Sequence, residues 1–141
     1  MGRLAEVVFI LIIRAYIEEA EVGQGLLRAM KDPRTSASLN CMHTAPEKGW
    51  TLDQLAAAAG MSRSLYCKEF KTLLAETPLA YLTGWRILTS KELLLENKEN
   101  ISEIAEKIGY QSEAAFNRLF KSKVGETPAV YRKQMLAAQN T

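Results

Sequence analysis

Histidine occurs once in these 141 residues and cysteine twice. Cys41 and Cys67 form no CxxC pair, and His43 has no second imidazole to work with. That scarcity argues against a disulfide framework and a zinc site, and it suits a reducing cytoplasm. No Gly-rich phosphate loop and no Cys–His–Asp set is present, so an enzyme is not expected: no catalytic residues, no metal ligands, no cofactor. No segment sustains the apolar–polar alternation of a strand. The longest apolar run, Val7–Ile13, is far below the roughly 18–20 residues that span a bilayer. A signal peptide is also disfavoured, because Glu6 interrupts its start and Glu18, Glu19 and Glu21 stand where a small-residue cleavage site belongs. Myristoylation prefers Ser or Thr at position 6 and finds Glu6. No membrane partner is expected. A large charge of one sign is missing too, and a net charge of +2 neither demands nor excludes a polyanion.

What the chain does contain is one pattern written twice. Residues 51–82 read TLDQLAAAAGMSRSLYCKEFKTLLAETPLAYL, and residues 101–132 read ISEIAEKIGYQSEAAFNRLFKSKVGETPAVYR. Leu55, Ala56 and Gly60 fall on Ile104, Ala105 and Gly109 at an offset of 49. Beyond the glycine the offset is 50, and Ser62, Tyr66, Phe70, Lys71, Glu76, Thr77, Pro78 and Tyr81 fall on Ser112, Phe116, Phe120, Lys121, Glu126, Thr127, Pro128 and Tyr131. The second copy carries one extra residue in its turn. Two copies are too few for a solenoid, which needs three stacked units. They suit a tandem reader of a linear polymer such as DNA.

The local signals specify an all-α chain. Residues 4–20 are apolar nearly all round, and such a helix must be covered; packing or dimerisation through residues 4–17 is expected. Gly23-Gln24-Gly25 ends it, and Leu26, Leu27 and Met30 suggest a short second helix. Asp32-Pro33 caps a third over residues 34–45, with His43 a packed or capping residue. Pro46–Gly49 is a turn, and Trp50 anchors the entry to the first repeat. Thr51-x-x-Gln54 is a capping box for a helix through Ala59, Gly60 stops it, and Ser62 caps a helix over 63–75. Thr77-Pro78 opens the longest helix, 78–96, predicted to extend roughly 25–29 Å. Ser102–Ile108, Gly109, Ser112–Val124 and Thr127-Pro128 restate the pattern. The expected organisation is a helical segment over 1–49, two helix-turn-helix subdomains on a long linker helix over 50–135, and a flexible C-terminus over 136–141.

A helix-turn-helix packs one helix across another and leaves the outer face of the second free for the major groove. In the first copy Tyr66, Phe70, Leu73 and Leu74 share an inward face, and small Ala56 lets the helices approach. Arg63, Ser64, Cys67, Lys68 and Lys71 then lie outward. In the second copy Phe116, Phe120 and Val124 point inward, Ala105 is the close-approach residue, and Glu113, Ala114, Asn117, Arg118 and Lys121 lie outward. Arg118 suits guanine O6 and N7, Asn117 suits adenine N6 and N7, Lys68 can donate to guanine, and Ala114 can touch a thymine methyl. Lys71 and Lys121, a turn further on, suit phosphates. Cys67 bonds weakly, so the first unit is expected to discriminate less. Residues 112–133 concentrate Arg118, Lys121, Lys123, Arg132 and Lys133 against Glu113 and Glu126.

The run Ile101, Ile104, Ala105, Gly109, Tyr110, Ser112, Phe116, Arg118, Phe120, Lys121, Gly125, Thr127-Pro128 and Tyr131-Arg132 resembles the signature of AraC/XylS-type bacterial transcription regulators. The resemblance covers residues 50–135. It implies two subdomains whose third and sixth helices enter successive major grooves, with Ser64, Cys67, Lys68, Ala114, Asn117 and Arg118 facing bases. It also implies activation through RNA polymerase. Residues 3–50 resemble the lead-in of members with a cupin-like sensor, where such helices help form the dimer. A β-rich sensor is lacking, which marks a fragment or a shortened regulator. Gly84 stands where a polar or charged residue is usual, and glycine inside a helix costs about 0.5–1 kcal/mol relative to alanine. The expected function is sequence-specific binding of double-stranded DNA. The competing reading is a helical protein-interaction module built on Val7–Ile13, whose assembly would be indifferent to DNA.

Overall fold

The computed structural model describes residues 27–139, and the chain divides into two compact units, the first ending at Thr83 and the second starting at Gly84. Among the described residues every regular element is helical. None of these helices is long and apolar enough to cross a membrane. The apolar segment 4–20, and with it the expected dimerisation surface at residues 4–17, lies outside the described residues. Residues 27–31 are helical, and among the described residues seven further helices follow: α1 (Pro33–Thr44), α2 (Leu52–Ala58), α3 (Arg63–Leu74), α4 (Pro78–Glu96), α5 (Ile101–Lys107), α6 (Glu113–Val124) and α7 (Pro128–Gln139).

Each start is fixed by a side chain that satisfies backbone N–H groups left orphaned at a helix N-terminus. Asp32 accepts from the Arg34 and Thr35 amides ahead of α1. Thr51 and Gln54 bond reciprocally at α2. Ser62 accepts from Leu65 at α3, and Ser112 from Ala115 at α6. Thr77 and Thr127 accept from Ala80 and Val130 at the starts of α4 and α7. The start of α5 differs from the sequence expectation. Its cap is Asn100, in a second capping box with Glu103, and the helix begins at Ile101 rather than Ser102.

The two turns of the repeats share one geometry. Gly60 (φ 68°) and Gly109 (φ 97°) are left-handed, a conformation glycine enters without a Cβ penalty. The amides beyond them bond back to the small residues, Met61 N to Ala56 O at 3.0 Å and Tyr110 N to Ala105 O at 2.9 Å. This is the Schellman arrangement, which satisfies carbonyls the helix leaves open. The extra residue of the second copy, Gln111, is exposed and follows that closed turn. The ends of the third and sixth helices differ: Gly125 (φ 101°) closes α6, whereas Ala75 holds the same left-handed position after α3 at φ 62°.

An aromatic ladder runs through each core. In the first unit Tyr66, Phe70 and Tyr81 meet edge to face, 5.7 Å apart at both steps. In the second, Phe116, Phe120 and Tyr131 repeat it at 5.7 and 5.5 Å, and Tyr110 stacks on Phe116 at 6.0 Å. Leu55 and Ile104 are fully buried, with Ala56 and Ala105 beside them in sequence, as inward residues of α2 and α5 must be. Leu73 is only half-buried, so the inward face of α3 is narrower than the spacing predicts, carried by Tyr66, Phe70 and Leu74.

Two expected boundaries shift. Helix α1 packs on α2, and His43 Nε2 meets the Tyr81 hydroxyl at 2.6 Å, so residues 33–44 belong to the core of the first unit rather than to a separate leading segment. Burial lowers the His43 pKa to about 4 and raises that of Tyr81, so both groups are neutral and the contact is a hydrogen bond between uncharged partners. At the other end α7 continues through Gln139, past the expected limit at 135.

Candidate nucleic-acid interface

Once the aromatic ladders fix which side of α3 and α6 points inward, the opposite sides follow. On α3 the side chains of Arg63, Ser64, Lys68 and Lys71 are exposed and Cys67 is half-buried. On α6 Glu113, Ala114, Arg118 and Lys121 are exposed and Asn117 is half-buried. The sequence-predicted residues therefore lie on the outer side of each helix, over nine residues or roughly 12 Å from end to end. Asn117 sits at the shoulder of that face, beside the hydrophobic core, and not at its crest.

Among the described residues the side chains of Arg63, Lys68, Lys71, Arg118 and Lys121 make no hydrogen bond and no ion pair. Other cations of the chain are engaged. Lys107 pairs with Glu99 at 2.7 Å. Arg86 lies over the Tyr110 ring at 5.4 Å and Lys91 over Tyr131 at 5.8 Å. The sharpest case is Arg132, whose Nε donates to Leu94 O at 2.9 Å and whose Nη2 donates to Glu99 O at 2.7 Å. Arg132 thus ties α7 to the C-terminal end of α4. Counting it with the DNA-facing cations is a correction to make: its donors are committed inside the second unit.

The sequence pattern leaves one outer residue unmarked. Leu65, in the first turn of α3, is 40% exposed although Tyr66 beside it is buried. Its position beside inward Tyr66 masked it, and helical phase alone places it on the rim of the outer face. Lys123, already counted among the basic residues of 112–133, is exposed in the last turn of α6. Among the described residues no group of His, Cys, Asp or Glu has the arrangement that holds a metal ion, and Cys41 and Cys67 are free thiols.

Each unit is thus a helix-turn-helix whose second helix presents uncommitted polar and basic side chains. A family profile described as "Helix-turn-helix domain" matches residues 55–134, the larger part of the chain. The HTH-type transcriptional regulator AlkR of Acinetobacter baylyi is 38% identical over 131 residues, 93% of this chain and 43% of AlkR. The regulator MtrA of Neisseria gonorrhoeae is 32% identical over 136 residues, 95% of this chain and 45% of MtrA. Among solved structures, the DNA-binding domain of the global transcriptional factor AdpA, in complex with a target DNA, superposes with a TM-score of 0.71 at 28% identity, covering 78% of this chain and 98% of that domain. The chain belongs to the AraC-type helix-turn-helix family of transcription regulators. It spans under half the length of the curated relatives it matches.

Proposed function

We propose that the chain is a sequence-specific reader of double-stranded DNA that regulates transcription in a bacterial cytoplasm, with no enzymatic activity of its own. In this reading α3 and α6 enter adjacent major grooves. Arg118 and Asn117 contact base edges in one, Ser64, Lys68 and Cys67 in the other, while Lys71 and Lys121 hold phosphates. Arg63, Glu113 and Ala114 line the same faces, and Leu65 adds an apolar contact suited to a thymine methyl. The observation that carries the proposal is the pair of outer faces: the same helix in each copy leaves its basic side chains unpaired while its inner side is held by an aromatic ladder. The AdpA domain, solved on its target DNA, supports it by similarity.

Selection of bound duplexes from a random pool tests it. A bipartite motif with half-site centres about 10 bp apart is expected. On that motif Arg118→Ala should weaken binding by about 1–3 kcal/mol and relax preference at one base pair. Lys121→Ala should weaken specific and random duplexes alike and reduce the salt dependence by about one charge. Unchanged affinity and preference in Arg118→Ala would refute the assignment of the groove face. Homodimerisation through residues 4–17 and contact with RNA polymerase complete the proposal. Ile10→Glu should turn a dimer into a monomer in sedimentation, and an unchanged mass would remove the dimer contact from it.

A further inference from the structure

The internal repeat aligns the two outer faces residue by residue. At the offset of 50, Arg63 falls on Glu113, Ser64 on Ala114, Cys67 on Asn117, Lys68 on Arg118 and Lys71 on Lys121. The last two pairs keep a positive charge. The first inverts it. Arg63 and Glu113 are the first residues of α3 and α6, directly after the capping serines, and both are exposed. Among the described residues no cation pairs with Glu113, and the cations of its own helix, Arg118, Lys121 and Lys123, begin more than a turn away.

A carboxylate beside a phosphodiester chain is repelled, and a hydrogen-bond donor in the groove offsets that repulsion. The N-terminal residues of a groove-entering helix are the ones that meet base edges. In the major groove the donor without an adjacent ring acceptor is the N4 amine of cytosine, the partner of Glu and Asp side chains. We propose that Glu113 is a specificity determinant that selects cytosine in the half-site read by α6, while Arg63, at the equivalent place on α3, selects guanine. The two half-sites of the operator are then unlike in sequence, although the two readers are built alike. This rests on α6 being a groove-entering helix. The competing role for Glu113 is purely local, since an acidic residue in the first turn stabilises a helix through its dipole. That role predicts no base preference.

The experiment is duplex selection from a random pool with the 141-residue chain, its Glu113→Gln and Glu113→Ala variants, and Arg118→Ala as reference, with thermal melts of each. The wild type should fix a cytosine at one position of one half-site. Glu113→Gln should shift that position to adenine, because a carboxamide pairs with adenine N6 and N7. Glu113→Ala should leave it unselected, with discrimination reduced about tenfold, the order one base contact supplies. Preferences elsewhere in the motif should be retained, and affinity for random duplex should rise as the repulsion is removed. If both variants recover the wild-type motif and differ only in melting temperature, Glu113 is a helix-stabilising acid and the inference is overturned. If Arg118→Ala alters the motif in that same experiment, the groove assignment survives that loss. If the wild type recovers no motif at all, the groove assignment and the inference fall together.

Discussion

Arg132 separates cations that hold the fold from the uncommitted cations of α3 and α6. Its guanidinium donates to Leu94 O in the last turn of α4, which also accepts from Asn97 N, and to Glu99 O in the turn before α5. Hydrogen bonds from a charged donor contribute about 1.5–3 kcal/mol each. Arg132 is half-buried, so water recovers part of the loss when the side chain is removed. Arg132→Ala should then destabilise the protein by about 2–3 kcal/mol, a drop in Tm of roughly 7–10 °C for a chain of this size. Arg132→Lys keeps the charge but offers a single donor point in place of the planar fork, so it should retain about half of that stability. Thermal denaturation followed by far-UV circular dichroism measures both. DNA binding well below the transition should keep its wild-type dependence on salt, because no phosphate contact has been lost. A variant that melts with the wild type yet shows a salt dependence reduced by one charge would refute the clamp and return Arg132 to the DNA surface.

The C-terminus of α3 provides a prediction from the repeat itself: Ala75 is left-handed where its counterpart is Gly125, so Ala75→Gly should stabilise the first unit by about 0.5–1 kcal/mol and Gly125→Ala should destabilise the second. Equilibrium urea denaturation decides it, and equal effects of the same sign in both variants would contradict the backbone argument. Burial lowers the His43 pKa to about 4 from an ordinary 6.5, so the unfolded chain binds the extra proton between those values. The contribution of neutral His43 is fully present above pH 6.5 and is lost as pH falls towards 4, by about 3 kcal/mol; His43→Gln should flatten the stability–pH curve in that window, and an unchanged slope would show that other groups produce it.

Much of this architecture is legible along the chain because it is local. Asp32-Pro33, Thr51 with Gln54, Ser62, Gly60, Thr77-Pro78 and their counterparts act within four residues of where they stand, and the structure uses each as its chemistry requires. Asn100 with Glu103 was equally local, but Ser102 offered a competing start and only the reciprocal bonds decide between them. What the sequence hides are pairings across distance. His43 and Tyr81 are 38 residues apart, as are Arg132 and Leu94, and nothing periodic announces either contact. A count of charges treats Arg132 and Arg118 alike, although one is locked to two carbonyls and the other is uncommitted. The repeat explains why the candidate site was nonetheless easier to locate than such contacts. Its inner positions obey one packing rule twice, Tyr66, Phe70 and Tyr81 against Phe116, Phe120 and Tyr131, and this sets the phase of α3 and α6 without knowledge of any long-range contact. The outer positions are then free of that rule. There the copies part: Arg63 against Glu113, Ser64 against Ala114, Cys67 against Asn117. Packing therefore fixes where each helix can touch a ligand, and only the unconstrained residues can determine which ligand sequence it prefers.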